Sequence, residues 1–136
     1  MKRAILAFVV GLVVWVLVVS LLDRALRIFL PGYAAAEPGM SFTLGMMAAR
    51  LTIGALTSLI AGAVAGWIAP ASQVMPWLLG GLLLAAFIPQ HLRLWSIFPL
   101  WYHLTFLVTL APLIVLGSRL PRVLAPATPA APGARS

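Results

Sequence analysis

The amino-acid sequence predicts an all-α integral membrane protein with four transmembrane helices in a small bundle, the third kinked at Pro89 and the fourth at Pro112. Three observations carry this prediction. Four long apolar stretches separated by short polar breaks occupy most of the 136 residues. Hydrophobic residues make up 63% of the chain and charged residues 8%, which is more apolar surface than a water-soluble fold of this size can hide. The nine basic residues outnumber Asp23 and Glu37 and lie mainly at the edges of the apolar runs, the pattern of contact with anionic lipid headgroups and not with nucleic acid.

The first span covers about residues 4–22. Its nineteen uncharged residues rise roughly 28 Å, close to the hydrocarbon thickness of a bilayer. The helix is expected to continue toward Leu30, where Pro31-Gly32 stops it, and Asp23 and Arg27 then form a pair four residues apart. A cleaved leader is disfavoured because the apolar region is too long and the Ala34-Ala35-Ala36 cleavage candidate lies too far beyond it.

The second span covers about residues 44–68, with Ser41 as a candidate cap. Gly54, Ser58, Gly62 and Gly66 recur every four residues on one side of this helix, and bulky residues such as Leu56, Leu59 and Ile60 fall mostly opposite. Small residues at that spacing let two helix backbones approach closely, the main route to helix association inside lipid. This face is therefore the expected packing centre, against another helix of the same chain or of a second copy.

The third span covers about residues 76–95. Ending it at Ile88 would leave about 20 Å of helix, too short to cross, so it is expected to run through Pro89 and to bring Gln90, His91 and Arg93 to the membrane edge. The fourth span covers about residues 99–119, with Pro99 in the first turn and the carbonyl freed by Pro112 met by Thr109 or water. Residues 1–120 thus form the expected transmembrane domain. Residues 121–136, rich in Pro and Ala, form an expected disordered cytoplasmic tail.

An amino terminus inside places Lys2, Arg3, Arg119, Arg122 and Arg135 on the cytoplasmic side, so both termini are expected there. Trp67 and Trp77 then mark the inner interface, while Tyr33, Trp95, Trp101 and Tyr102 mark the outer one. Trp15 is left mid-bilayer, packed on another helix. Eight arginines against the single Lys2 suggest a GC-rich bacterial source, and hence the bacterial inner membrane.

No catalytic signature is present, and the absence of cysteine excludes a thiolate nucleophile and Cys-ligated metal. Neither a metal nor a cofactor is expected, since two histidines and two loop carboxylates have no recognisable ligand spacing. Chemistry is left to a polar group at the outer leaflet: Arg50, Gln90, His91, Arg93, Tyr102 and His103. Arg50 stands out because it shares the small-residue side of its helix, and intramembrane charges face protein or water-filled cavities. Against that stands a snorkelling arginine at a helix end. His103 reads as an interfacial polar residue, and His91 and Arg93 as headgroup anchors.

These features favour a non-enzymatic accessory or oligomeric membrane subunit that acts through helix packing, with membrane lipids and either a second copy or a larger membrane protein as partners. An oligomeric transporter or channel, for an anion passing Arg50, is the first alternative. A membrane enzyme or lipid-headgroup binder using the outer-leaflet cluster is the second, and it has no evident nucleophile.

Overall fold

A computed structural model describes residues 1–126 of the chain. Its elements in order are α1 (Lys2–Phe29), the short α2 (Tyr33–Ala36), α3 (Leu44–Ile68), α4 (Met75–Arg93) and α5 (Leu100–Leu124). Among the described residues there is no strand. Helices α1, α3, α4 and α5 are each long and apolar enough to cross a membrane, and four such helices make this a multi-pass membrane protein.

Helix α3 has the bounds expected for the second span. Its cap differs: the Thr43 side chain accepts from the Met46 N–H at 3.3 Å, whereas the Ser41 hydroxyl donates to the Ala36 carbonyl. Thr43 takes the role because it is the residue directly before the first helical turn, where a side-chain oxygen reaches the third N–H. Helix α1 continues past the apolar span to Phe29, as expected, and carries Asp23, Arg24 and Arg27 with it. It ends at Leu30 in an extended conformation, and Gly32, with φ 78°, a left-handed conformation that glycine tolerates without steric cost, opens α2.

The expected boundary at residue 120 is corrected at α5, which continues to Leu124 with both Pro112 and Pro121 inside it. Near a helix end a proline removes only one ladder bond, and the turn closes because the Ala125 N–H donates to the Pro121 carbonyl at 3.1 Å. Residues 121–124 are thus helical, and the remainder of the expected disordered tail, 127–136, lies outside the described residues. Thr109 does not serve Pro112 as expected. Its hydroxyl donates to the Thr105 carbonyl at 2.6 Å, the carbonyl one turn back that a helical threonine reaches most easily.

The small residues of α3 are spent within the chain. A Cβ placed on Gly62 would run into the backbone of Ile114, and one on Gly66 into the backbone of Ser118. From the other side, Gly117 of α5 lies equally close to the backbone of Leu59. Helices α3 and α5 therefore touch main chain to main chain, which maximises dispersion contact where no hydrophobic drive exists between helices. Around this seam Trp15, Ala61, Ala65, Leu79, Leu110 and Ile114 form the buried apolar core. Trp15 packs there as expected, with its ring 5.1 Å from that of Phe87 and its indole N–H donating to the Ser58 hydroxyl at 3.2 Å.

Candidate functional site

Alternation of chain direction brings the end of α1, the beginning of α3, the end of α4 and the beginning of α5 to one end of the molecule. Arg50 lies six residues into α3, about 9 Å from its start, and its side chain turns inward. Its Nε donates to the Tyr102 hydroxyl at 3.2 Å and its Nη1 to the Tyr33 hydroxyl at 2.6 Å. The Tyr33 hydroxyl in turn donates to Asp23 Oδ1 at 3.0 Å, and Arg50 Nη1 lies 3.8 Å from that same oxygen. The guanidinium also sits 4.8 Å above the ring of Phe42, a cation–π arrangement that lowers the cost of removing it from water. Arg50 is a charge held by two phenols, an aromatic face and a carboxylate.

The carboxylates are tied down separately. Arg27 Nη2 reaches Asp23 Oδ2 at 2.9 Å, the pair expected from their spacing, and Glu37 Oε1 at 2.6 Å. Because Glu37 follows α2, this fork pins the short helix against the end of α1. Tyr33, also on α2, is fully buried, and burial pushes its phenol up to about 12 against the opposing pull of the Arg50 guanidinium. It is thus a neutral donor to Asp23 and an acceptor from Arg50 across the physiological range.

Beyond Tyr102 lies a histidine pair. The Nδ1 atoms of His91 and His103 approach to 2.8 Å, so one of the two rings donates and the other accepts. His103 has no exposed surface, stacks on Trp95 with ring centroids 4.9 Å apart, and has an Nε2 with no partner among the described residues. Both histidines are buried, because the turns ending α4 and beginning α5 face each other. Tyr33 and Tyr102 are likewise buried, as members of the polar group.

Two cavities meet at Arg50 and Tyr102. A chamber of about 100 Å³ is lined by Arg50, Gln90, His91, Tyr102 and His103 together with Met40 and aromatic side chains. Of the residues singled out from sequence, only Arg93 is left out of this convergence, exposed on the last turn of α4. The second cavity, a cleft of about 300 Å³, has Trp15, Val19, Ile53, Phe87 and Phe106 as apolar walls and Ser20, Asp23, Glu37, Arg50 and Tyr102 as its polar part. Among the described residues Arg50 Nη2 makes no hydrogen bond within the chain, so the guanidinium keeps donors free for a guest.

The chemistry this allows is recognition of charge. Among the described residues no three His, Cys, Asp or Glu side chains converge, and the histidine pair supplies fewer ligands than metal sites use, beside a guanidinium that opposes a cation. Gly54, Ser58, Gly62 and Gly66 are all buried. Gly54 faces the Phe106 ring between α3 and α5, and Ser58 orients Trp15 while donating to the Gly54 carbonyl. No known protein family matches the chain, and neither a curated protein nor a solved structure is similar to it.

Proposed function

We propose that this chain is a non-enzymatic multi-pass protein of the bacterial inner membrane, with both termini in the cytoplasm, that holds the phosphate of a lipid headgroup at Arg50 in the outer leaflet. Its four helices, as a compact bundle kinked at Pro89 and Pro112, serve as the scaffold. The observation that carries this reading is the placement of Arg50, a partly buried guanidinium fixed by Tyr33 and Tyr102 at the junction of two cavities, with Nη2 unspent. A buried charge is retained only where something compensates it, and oxyanions match the planar fork of arginine.

Native mass spectrometry of the gently extracted protein tests the reading. Arg50→Ala should reduce retained phospholipid by about tenfold, the scale of losing one charged hydrogen-bonding partner, while Arg119→Ala at the opposite end should retain it. Equal retention by both variants would defeat the proposal.

A subunit role through helix packing keeps one specific support. Helix α1 turns Ile5, Val9, Val13, Val16 and Leu17 outward, a long apolar face open to lipid or to a partner helix. The small-residue face of α3 no longer argues for a second copy, since α5 occupies it. The same spectra read this alternative as extra mass from a homo-oligomer or a larger membrane protein.

A further inference from the structure

The cleft beside Arg50 carries both signs of charge on one rim and apolar walls below it. Arg50 supplies the cation, and Asp23 and Glu37 supply carboxylates. Their free capacity is unequal. Asp23 already accepts from Tyr33 through Oδ1 and from Arg27 through Oδ2, whereas Glu37 is engaged by Arg27 through Oε1 and its Oε2 accepts nothing among the described residues. A guest with only negative charge would place it against these carboxylates, and one with only positive charge would meet Arg50. Like-charge juxtaposition of this kind is costly in a partly desolvated site. A guest carrying both an anion and a cation would meet Arg50 and Glu37 in the one cleft that both line. The apolar walls formed by Trp15, Val19, Ile53 and Phe87 then require that this guest also have a hydrocarbon part.

We infer that the cleft binds a zwitterionic amphiphile, a phosphodiester lipid whose headgroup ends in a primary ammonium, with its phosphate on Arg50, its ammonium at Glu37 and the start of its chains against Trp15 and Phe87. This inference rests on the reading of Arg50 as a headgroup site and adds the identity of the headgroup. The second chamber, toward His91 and His103, lies on the far side of Tyr102 and offers no carboxylate, so it does not supply the dipolar match.

The delipidated full chain, titrated in detergent with phosphatidylethanolamine or phosphatidylglycerol and read by native mass spectrometry, tests the inference. The wild type should bind phosphatidylethanolamine about tenfold more tightly, the order of one carboxylate–ammonium contact away from bulk water. Glu37→Gln should erase this preference while leaving phosphatidylglycerol binding within about twofold. Arg27→Gln, which removes the guanidinium competing for both carboxylates, should preserve or enlarge it, whereas a merely structural role for the acidic pair would shrink it. Glycerophosphoethanolamine, the same headgroup without chains, should not displace the lipid at equal concentration; displacement would remove the amphiphile from the inference. Equal or tighter binding of phosphatidylglycerol by the wild type, or an unchanged preference in Glu37→Gln, would overturn the zwitterion assignment and leave the Arg50 site standing. Wild-type binding of both lipids by Arg50→Ala and Arg50→Lys would instead overturn the site itself.

Discussion

Tyr33 shows how single residues hold this site together. Its hydroxyl joins Arg50 to Asp23, and with no exposed surface it has no water to replace either partner. Tyr33→Phe should therefore lower stability by about 1 kcal/mol, the scale of a net hydrogen bond, because Arg50 and Asp23 are partly exposed and keep Tyr102 and Arg27 as partners. The pH dependence has a definite sign. With the phenol raised to about 12 in the folded chain against about 10 when unfolded, its contribution is fully present below pH ~10 and is lost as pH rises toward ~12, because the unfolded chain releases the proton first. Thermal melts in detergent from pH 8 to 12 should show this alkaline decline in the wild type and a shallower one in Tyr33→Phe. At this scale the sequence singles out Arg50, which shares the small-residue side of its helix, but leaves a snorkelling arginine as the alternative; its contacts with Tyr33 and Tyr102 depend on other elements. The sequence does not single out Tyr33. Its burial depends on the Pro31-Gly32 turn folding α2 back over the end of α1, a tertiary event without local periodicity, so an aromatic after an apolar helix read as an interface marker. The histidine pair escaped for a related reason: His91 and His103 meet only because α4 and α5 are joined by a short connection.

Among the elements, α3 was the most legible and α5 the least completely so. The segregation of Gly54, Ser58, Gly62 and Gly66 from bulky neighbours identified a packing face that the backbone contacts with Ile114 and Ser118 now account for. What periodicity lacks is the identity of the partner, because a small face fits any helix that approaches it. Helix α5 runs four residues past the expected boundary because the Pro- and Ala-rich composition that marks a tail begins at Pro121, and one proline in the last turn does not end a helix. The backbone contact yields a sharp contrast. Gly62→Leu and Gly66→Leu place side chains where main chain already lies, with an overpacking cost of about 1–3 kcal/mol or more each, so both should lower membrane abundance and melting temperature. Ala63→Leu, one position off the seam and only partly buried, should be tolerated. Helix α4 offers a matched control: a Cβ on Gly80 would press on Ala111, while one on Gly81 meets nothing within 4 Å. Gly80→Ala should therefore destabilise the chain, and Gly81→Ala should be neutral or stabilising.

For the whole molecule, the polarity of its two ends decides how it sits in the membrane. One end gathers Asp23, Arg24, Arg27, Glu37, Arg50 and Arg93, with opposite charges paired within it. The other end carries Lys2, Arg3, Arg119 and Arg122, and no Asp or Glu. Positive charge retained on the cytoplasmic side is the strongest determinant of orientation in short-looped membrane proteins. Lys2, Arg3, Arg119 and Arg122 at the second end outnumber Arg24, Arg27 and Arg93 in the flanks of the first, where Arg50 is drawn into the bundle, so the second end is the one expected inside. The proposed headgroup site then opens to the outer leaflet, where a lipid reaches it laterally from the bilayer. The chain contains no cysteine, which makes the orientation directly measurable by single-cysteine labelling. Gly39→Cys and Ser96→Cys, in exposed connections at the site end, should react with a membrane-impermeant maleimide added to intact spheroplasts. Gln73→Cys, exposed between α3 and α4 at the other end, should react only after the membrane is permeabilised. The reverse pattern would invert the topology and turn the Arg50 cleft toward cytoplasmic-leaflet lipid, with the internal architecture of the site unchanged.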